Sequence, residues 1–591
     1  MEQDDQEIVI GIDLGTTNSE IAFISRGKPV VLRIDGSKII PSVISIDFEG
    51  GILVGKPAIN NELLSPQNTI RCIKRKMGRE ELILLGNQTY TPAMISGLIL
   101  LRLKQAAEEF LKKPIRKAVI TVPAFFNEDQ REATKEAAEL AGLEPIRLLN
   151  EPTAAALAYA SGKNFTGHCL VYDLGGGTFD VSIVDFADQL MEVKASHGDT
   201  ELGGTDFDKM IADKARQAFI QEYEIDLAQD PLSWARLLRA AEAAKIRLST
   251  EAVADIIEEF IAANEGRPLH LKYSISRSEF EEMIRPTIER TLISVRKALE
   301  MASLPAEQID RVILVGGSTY IPLVAECLEK ELAIVPQAWI DPAIVVGMGA
   351  AIEAAKLSGQ KIGPMMVDVT PHSLGIECLE IDESLMNYIL IRRNSPLPSI
   401  ASHVFYKVYD EQKGIEIKVY QGESRHIHQN RALGSFRLEG IQGGGMEVHV
   451  KFELDRSGLL HVTASHLASG THSQHTLKRV SNSRVKHASL ADLETVRLMT
   501  EATEELNDEE YLLEEENFFN SEESDLEENV ETEIEQFSIE ENELLDRAKK
   551  MSESKKLEEV DCKELMNELI ASQSGDKDAL KRLANLIYYL E

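Results

Sequence analysis

Three consecutive glycines follow a short apolar run in LVYDLGGGTFDVSIVDF, residues 170–186. Successive backbone N–H groups in such a turn can converge on an anion, and glycine leaves room for that approach. The segment lacks the GKS or GKT ending of a Walker loop and does not match GxGxxG. The residues after it are apolar at every second place, as in a strand. The pattern therefore predicts either a strand–turn–strand site for phosphate or an ordinary hairpin with a glycine turn.

A second segment has the same build. It is IVIGIDLGTTNSEIAFI, residues 8–24, and placing Asp13 on Asp173 aligns IDLGTTNSEIAF with YDLGGGTFDVSI. Two similar hairpins indicate a duplicated domain that holds one nucleotide from both sides. Each hairpin has an aspartate where its first strand ends. Two facing carboxylates beside phosphates suit Mg²⁺, which keeps several waters and takes few protein ligands.

Two further glycine pairs belong to the same pattern. Gly203 and Gly204 lie in GDTELGGTDFD, and Gly316 and Gly317 follow a hydrophobic run in VILVGGSTYIP. Four glycine turns of this kind in one chain favour a nucleotide site over coincidence.

The composition is that of a globular protein. A length of 591 residues predicts about two to four domains. No apolar stretch approaches the roughly 20 residues that span a bilayer, and the acidic start MEQDDQEIVIGID lacks the layout of a signal peptide. The five cysteines have no paired spacing, which disfavours disulfides or a zinc site and favours a reducing cytoplasm.

The charge is strongly negative and unevenly placed. A net charge of −35 disfavours nucleic acid as a partner, because phosphate binding needs a basic face. Residues 501–543 contain twenty Asp or Glu and no Lys or Arg. Such a block is typical of a solvated surface, and an acidic docking site is the alternative.

Together these segments resemble the DnaK-type chaperones of the heat shock protein 70 family. The likeness covers residues 8–480 and rests on GIDLGTTNS, SPQNT with IKRKMGR, VPAFFNEDQR, NEPTAAALAY, DLGGGTFDVS, GDTELGG, VGGST, DVTPHSLGIE and VYQGE, in that order. The resemblance implies an α/β actin-like ATPase domain (duplicated, ribonuclease H-like) at 1–362 and an apolar linker at 363–369. It further implies an antiparallel β-sandwich for peptide at 370–485, then an α-helical lid and acidic tail at 486–591.

The resemblance assigns roles to matching positions, with ATP, Mg²⁺ and K⁺ as cofactors. The implied catalytic residues are Lys74, Glu151, Asp173 and Thr178, with Asp180 completing the polar ring. Asp13 and Asp173 would hold Mg²⁺ through water. The implied nucleotide-binding residues are Gly15, Thr16, Thr17, Asn18, Gly175, Gly176, Gly177, Thr178, Gly203, Gly204, Glu242, Lys245, Ser249, Gly316, Gly317 and Ser318. A lysine taken singly is usually a solvated charge, so only its motif singles out Lys74, which would orient the attacking water.

A second implied set carries signals between domains. Pro123 and Arg131 match a relay, and Arg147 matches a position for J-domain docking. The alternatives are a strand-ending proline and surface arginines. Met365, Met366, Val367 and Asp368 occupy the place of the apolar linker. That segment can serve as a latch that docks with ATP, as a strand leading into the next domain, or as both.

The β-rich part would bind extended peptide through its backbone and one apolar pocket. The implied cleft residues are Ile376, Leu379, Phe405, Val408, Ile415 and Ile417. For Ile415 and Ile417 the alternative is the core of the sandwich. Leu379 and Val408 stand where the family has an arch over the peptide.

Two departures from the family pattern affect nucleotide handling. Ile246 and Tyr320 stand where many members have the arginines that sandwich adenine, so we expect weaker binding of ATP. Only residues 80–89 lie where a further lobe is usually inserted, which resembles the short-lobed bacterial HscC branch. Dependence on a nucleotide-exchange factor stays open, and fast nucleotide release is expected.

The sequence thus predicts an ATP-dependent chaperone that binds hydrophobic segments of unfolded client proteins and works with a J-domain partner. One alternative is a degenerate member that acts as a holdase or co-chaperone with little ATPase activity. A more distant one is an actin-like small-molecule kinase. The EEVD at 558–561 is internal, so it is not read as a C-terminal docking signal.

Overall fold

The computed structural model describes residues 8–161, 165–187, 189–337, 340–379, 384–408, 412–441, 446–466 and 468–476. The chain divides into two compact units, Met1–Thr503 and Glu504–Glu591, and every described residue lies in the first. The predicted lid at 486–591 and the acidic block at 501–543 lie outside the described residues.

The first part of the chain, to residue 161, is a mixed sheet with helices around it. Its elements are β1 (Val9–Asp13), β2 (Asn18–Ser25), β3 (Lys28–Val31), β4 (Ile40–Pro41), β5 (Ile44–Ile46), β6 (Ile52–Val54), α1 (Lys56–Glu62), β7 (Thr69–Ile70), β8 (Ile83–Leu85), β9 (Gln88–Tyr90), α2 (Pro92–Leu111), β10 (Lys117–Val122), α3 (Glu128–Leu140), β11 (Glu144–Asn150) and α4 (Glu151–Ser161). The main sheet has the order β11-β10-β1-β2-β3, with β4 paired to β2. We call this part lobe I.

The second part, residues 165–357, repeats the arrangement. Its elements are β12 (Gly167–Leu174), β13 (Phe179–Ala187), β14 (Leu190–Asp199), α5 (Gly204–Tyr223), α6 (Pro231–Leu248), β15 (Val253–Asn264), β16 (Arg267–Ser276), α7 (Arg277–Ala302), β17 (Arg311–Val315), α8 (Pro322–Leu332) and α9 (Val345–Leu357). We call this part lobe II, although α9 packs back on lobe I.

The two main sheets share one pairing pattern. In lobe I, β1 is antiparallel to β2, β2 is antiparallel to β3, and β1 is parallel to β10. In lobe II, β12 is antiparallel to β13, β13 is antiparallel to β14, and β12 is parallel to β17. The predicted duplication and the strand–turn–strand reading of 170–186 are therefore confirmed. Both findings are consistent with an actin-like ATPase domain.

The hairpin of lobe II is buried on both faces, although its alternation would also suit a strand with one wet face. Its polar residues find partners inside: the Ser182 and Ser196 hydroxyls lie 2.7 Å apart, and the Tyr172 and Thr291 hydroxyls lie 2.6 Å apart. Burial of these groups is tolerated because they are hydrogen-bonded.

The segment expected to be shortened forms only a small hairpin. Strands β8 and β9 pair antiparallel from Ile83↔Tyr90 to Leu85↔Gln88. This two-stranded sheet occupies the place in the chain where the sequence predicted a missing lobe.

Helix α9 approaches α4 and β1 backbone to backbone. A Cβ on Gly349 would lie 1.8 Å from the carbonyl oxygen of Ala154, and one on Gly11 would lie 2.1 Å from the nitrogen of Ala351. Not even a methyl group fits at Gly349 or Gly11 at so short an approach. The last helix of lobe II is thereby held against the first strand of lobe I.

The linker is a strand of the lobe II sheet. The elements that follow α9 are β18 (Met365–Val369), β19 (Leu374–Leu379), β20 (Leu385–Ile391), β21 (Pro396–Leu397), β22 (Ser399–Tyr406), β23 (Gly414–Gln421), β24 (Arg431–Glu439), β25 (Glu447–Leu454), β26 (Leu460–His466) and β27 (Thr471–Thr476). Strand β18 runs parallel to β14, with Leu190 opposite Met365, and antiparallel to β21. The expectation that this segment forms a strand is confirmed.

Two four-stranded antiparallel sheets follow, with the orders β20-β19-β23-β24 and β22-β25-β26-β27. Strands of both sheets contribute to one cluster of buried apolar side chains, among them Val419, Phe436 and Phe452. We call these the C-terminal sheets.

The C-terminal sheets contact lobe I directly. The Glu128 carboxylate accepts the Leu460 N–H at 2.7 Å, and Arg431 pairs with Asp129 at 2.5 Å. His372 donates from Nε2 to the Phe125 carbonyl oxygen at 3.2 Å. Burial and this hydrogen bonding make the contact specific.

Two histidines flank the Phe125 ring at this contact. Its centroid lies 4.6 Å from that of His372 and 5.1 Å from that of His197. Burial lowers the pKa of His372 below its ordinary 6.5. Burial, with Lys297 and Arg393 nearby, lowers the pKa of His197 to about 4. Both side chains are therefore neutral at pH 7.

None of the helices in the described part of the chain is long and apolar enough to cross a membrane. The described cysteines, Cys72, Cys169, Cys327 and Cys378, are all free thiols.

We expect Gly349→Ala to destabilise the protein by about 1–3 kcal/mol, the usual cost of overpacking. The added methyl group must push α9 away from α4. Thermal unfolding should show the loss as a lower first transition. Gly317→Ala, whose Cβ would meet no atom within 4 Å, is the matched control. An unchanged transition for Gly349→Ala would contradict the close approach.

Acidification is expected to loosen the contact between lobe I and the C-terminal sheets. A histidine freed from the contact regains a pKa near 6.5, so the loosened form binds more protons than the intact contact does. The loosened form therefore becomes more stable relative to the intact contact as the pH falls below 6.5. At about pH 5.5 His197 contributes less than about 1.4 kcal/mol in favour of the loosened form, because its side chain is partly exposed, and His372 contributes in the same direction. Small-angle scattering should report expansion.

The control variants separate this effect from general acid expansion. His197→Asn/His372→Leu should respond less to pH, whereas His270→Gln, at an exposed position on β16, should behave as the unmodified chain does. Identical expansion of all three proteins would refute the histidine mechanism.

Candidate functional site

The two predicted glycine turns face each other across the gap between the lobes. A Cβ on Gly176 would lie 2.4 Å from the Thr17 side chain, and a Cβ on Gly177 would lie 2.3 Å from that of Thr16. A side chain at either glycine would therefore collide with the opposite turn. The duplicated hairpins do meet at one crevice.

The lobe I turn is closed by serines. The Gly15 N–H donates to Ser19 Oγ at 3.2 Å, and the Ser42 hydroxyl donates to the Gly15 carbonyl oxygen at 2.9 Å. Ser19 and Ser42 are themselves 2.8 Å apart. These bonds fix the path of residues 15–17, which lie between β1 and β2.

The lobe II turn is held by neighbouring backbone. The N–H groups of Gly204 and Thr205, at the start of α5, donate to the carbonyl oxygens of Gly175 and Gly176 at 3.0 and 2.8 Å. The Ser318 hydroxyl also donates to the Gly175 oxygen, at 2.9 Å. Three of the four glycine sites are thus joined directly.

One buried polar atom in the crevice lacks a partner. Thr16 Oγ1 is inaccessible to solvent and makes no hydrogen bond within the described residues. An unpaired buried hydroxyl costs free energy, which a bound acceptor or donor would recover. The Thr16 hydroxyl and the side-chain-free turn therefore fit a phosphate group.

Lys74 sits beneath the turns among carboxylates. It is the second residue of a short 3₁₀ turn, Ile73–Lys76, and forms a buried ion pair with Glu151, the first residue of α4. Asp13 accepts a hydrogen bond from Thr121 at 2.5 Å, and Asp180 accepts one from the Phe125 N–H at 3.0 Å. The alternative that Lys74 is an exposed charge is wrong.

Crowding changes the ionisation of this cluster. Burial raises the pKa of Asp13, and burial together with the neighbouring carboxylates raises that of Asp173 well above its ordinary value. Burial raises the pKa of Glu151 to about 8, against the lowering effect of Lys74, and that of Asp180 to about 7. Carboxyl groups so disposed favour a cation between them.

No three His, Cys, Asp or Glu side chains in the described residues are arranged to ligate a metal ion directly. Asp13 is the last residue of β1 and Asp173 the last but one of β12, at equivalent places of the two hairpins. These two aspartates are the ones predicted to hold the metal. Their carboxylate oxygens suit a hydrated Mg²⁺.

The predicted nucleoside residues converge on the lobe II side. Lys245 pairs with Asp208 at 2.7 Å and donates to the Gly204 carbonyl oxygen at 3.2 Å. Glu242 and Ser249 lie one turn before Lys245 and one turn after it, Ser249 as the C-cap of α6. The side chains at the two departures are exposed, Ile246 by 62% and Tyr320 by 50%, and the Tyr320 hydroxyl donates to Asp341.

A chain of hydrogen bonds joins the crevice region to the C-terminal sheets. Buried Arg131 donates to the Ser457 carbonyl oxygen at 3.3 Å and to the Asn150 side chain at 2.7 Å. Asn150 in turn donates to buried Asp368 at 3.0 Å. Pro123, also buried, directly follows the last residue of β10 and begins the loop that leads to α3. The surface-arginine alternative for Arg131 is therefore wrong.

Arg147 is enclosed as well. Its guanidinium forms a buried ion pair with Glu353 of α9, and only 8% of the side chain is exposed. The surface alternative is wrong here too. A J-domain role for Arg147 stays a prediction, and in this conformation the guanidinium is shielded.

The predicted linker and cleft residues differ in exposure. Met365 is exposed, Met366 and Val367 are partly buried and Asp368 is buried. Leu379 and Val408 are 49% and 55% exposed. Ile376 and Ile417 are buried in the shared core, against which Phe405 and Ile415 pack. The core alternative for Ile417 is thus supported, while the cleft roles stay predictions.

Sequence reasoning missed several residues of the crevice. Arg75 donates to the Gly177 carbonyl oxygen at 2.8 Å and pairs with Asp206 through both terminal nitrogens. Glu20, opposite Asp13 on β2, caps the N-terminus of α9 by accepting the Gly347 N–H at 2.6 Å. Arg75 lies inside the IKRKMGR motif, which could have identified it from the sequence. The contact of Glu20 is with a helix 327 positions away, so no local pattern indicates it.

A family model described as Hsp70 protein matches residues 9–587 of this chain. The match spans nearly the whole sequence and includes both hairpins, the linker strand and the C-terminal sheets. Two facing glycine turns, a buried lysine among carboxylates and the following sheets lie within that one match, and the chain belongs to the Hsp70 family.

Proposed function

We propose that this protein is an ATP-driven chaperone whose lobes bind and hydrolyse ATP. The family's chaperone role supports the proposal, and one observation carries it. The two duplicated glycine turns touch across a crevice that contains Lys74, an unpaired Thr16 hydroxyl and crowded carboxylates. That combination offers backbone donors for phosphates and oxygen groups for a metal.

The chain's own residues would position the reacting groups. Thr16, Thr17 and Asn18 would hold the phosphates from lobe I, and Gly175–Thr178 would hold them from lobe II. Mg²⁺, when bound, would neutralise charge on the phosphates, with K⁺ beside it. Asp13 and Asp173 are the residues that would hold the hydrated metal. Such catalysis needs positioning and charge neutralisation more than covalent chemistry.

Lys74 would orient the attacking water, held in place by Glu151. The ion pair is buried, so the ammonium group keeps one direction. Removing one preorganised donor at a transferring group typically costs about 2.7–4 kcal/mol of transition-state stabilisation. This role therefore predicts a large loss in turnover and a small one in binding.

The C-terminal sheets would form the peptide-binding sandwich, and Leu379 and Val408 would arch over an extended hydrophobic segment. Their exposure leaves apolar surface for a client. The Arg131–Asn150–Asp368 chain would carry the state of the crevice to these sheets through the linker strand. A J-domain protein would promote hydrolysis.

Handling of the nucleotide would differ from that of long-lobed members. The small β8–β9 hairpin supports the resemblance to the short-lobed branch and leaves less surface for an exchange factor. Ile246 and Tyr320 can pack against a purine without charge, which supports weaker binding of ATP.

Two other functions compete with this one. A holdase or co-chaperone with little ATPase activity would bind clients without turnover, and the exposed Ile246 and Tyr320 are the observations in its favour. A small-molecule kinase would transfer phosphate to an added acceptor, but the C-terminal sheets have no place in that function. A single-turnover ATPase assay, with and without peptide, separates the chaperone from the holdase, and phosphotransfer to an added sugar or carboxylate would reveal a kinase.

We expect Lys74→Ala to reduce single-turnover hydrolysis by about 100-fold or more while changing ATP affinity only a few-fold. Glu151, whose pKa is already raised to about 8, can take up a proton and leave a neutral, folded pocket. Lys76→Ala is the matched control, since Lys76 is 42% exposed and pairs with Glu81 rather than with a residue of the crevice. Near-normal hydrolysis by the Lys74 variant would remove Lys74 from this role.

Leu379→Asp and Val408→Asp should each weaken peptide binding about tenfold or more, since burying an apolar side chain is worth about 1.5–3 kcal/mol. Fluorescence anisotropy with a labelled hydrophobic peptide and ADP measures the affinity. Ile400→Asp is the control, because Ile400 is exposed on β22 and alternates to the face opposite Phe405. Equal affinities for all variants would contradict the arch.

A further inference from the structure

Three arginines of residues 71–79 reach from lobe I to acidic side chains of lobe II. Arg75 pairs with Asp206, and Arg79 pairs with Glu201 at 2.5 Å. Asp206 and Glu201 flank Gly203 and Gly204, at the phosphate end of the crevice. Arg71 lies before the IKRKMGR motif. Its contact with lobe II is at the nucleoside end of the crevice.

Arg71 bridges two carboxylates that belong to different lobes. Its Nε and Nη2 donate to both oxygens of Glu62, the last residue of α1, at 2.7 and 2.6 Å. Its remaining terminal nitrogen lies 3.7 Å from a carboxylate oxygen of Glu242 on α6. The neighbouring turn Pro66–Asn68 also contacts α6.

The two halves of this bridge differ in strength. The bond to Glu62 is bidentate, and Glu62 is only 9% exposed, so Arg71 is preorganised on lobe I. The contact to Glu242 is longer and about one third exposed on each side. When the lobes separate, the Glu242 contact breaks while Arg71 stays in place, ready to form it again.

We propose that Arg71 is a clasp across the nucleoside end of the crevice and slows the release of ADP. The inference rests on the proposed ATPase function, because Glu242 is one of the residues proposed to bind the nucleoside. Without Arg71, the carboxylates of Glu62 and Glu242 would face each other across the gap, and their repulsion would favour opening. Arg71 acts through Glu242 and is a positioning residue.

The clasp also bears on nucleotide release in a chain with a short lobe. Ile246 is one turn after Glu242 on α6. Neither Ile246 nor Tyr320 carries a charge. Arg71 places a cation from the opposite lobe beside this face of α6. It thereby opposes the fast release that the short lobe alone would favour.

The test is the rate at which labelled ADP leaves the full-length protein when chased with excess ATP. Arg71→Ala should raise the rate about two- to fivefold, the range expected when one partly exposed ion pair is lost. Arg71→Lys keeps the positive charge but cannot form the bidentate bond to Glu62. Its release rate should fall between those of the unmodified protein and Arg71→Ala. At constant K⁺, added inert salt should speed release from the unmodified protein more than from Arg71→Ala.

Two further variants make the outcome decisive. Arg71→Ala leaves the buried Glu62 unpaired, so Glu62→Gln/Arg71→Ala repeats the measurement without that charge and should still release ADP faster than the unmodified protein. Arg247→Ala is the matched control, because Arg247 pairs with Glu251 at 2.6 Å at the end of the same α6 without crossing the crevice. It should leave the rate unchanged.

The outcomes separate the clasp from the function beneath it. If ADP binds and its release from Arg71→Ala equals that of the unmodified protein and of Arg247→Ala, the clasp is refuted and the ATPase proposal stands. If the unmodified protein binds neither ADP nor ATP, the ATPase proposal fails, and the clasp fails with it.

Discussion

The close approach of two backbone turns is the constraint on which the rest of the structure depends. Gly176 and Gly177 lie against Thr17 and Thr16, and no side chain fits between them. The two lobes must therefore be held in one register, since a shift of an ångström would open or crush the crevice. Helix α9 provides much of that register, because Gly349 and Gly11 let it approach α4 and β1 so closely that no side chain would fit there either.

The second constraint is the excess of negative charge at the crevice, which is partly balanced by ion pairs within the crevice and between the two lobes. The crevice contains more carboxylates than cations, and burial raises the pKa of Asp173, Glu151 and Asp180 accordingly. Lys74 compensates part of this charge, and a hydrated metal would compensate more. At the rim, arginines from lobe I pair with acids on lobe II. Glu242, a residue proposed to contact the nucleoside, is one of these acids, so a nucleotide bound there would be coupled to closure of the lobes.

The linker strand connects this closed crevice to the C-terminal sheets. Strand β18 extends the lobe II sheet, and Asp368 within it is reached by Arg131 through Asn150. The rings of His197 and His372 add a further contact around Phe125. These contacts join lobe I, the lobe II sheet and the C-terminal sheets through buried polar groups.

The sequence by itself determined the hairpins, their duplication, the family and the linker strand, because each is written in local alternation, glycine spacing and motif order. It also placed Lys74 and the glycines in one site. Tertiary structure alone decided what lies across the gap: the pairing of Arg71 with Glu62 and Glu242, the cap that Glu20 makes on α9, and the burial of Arg131, Arg147 and Ile417. Those contacts join residues far apart in the chain, and a side chain's burial or ion pair depends on which distant surface folds against it, for which local pattern carries no information.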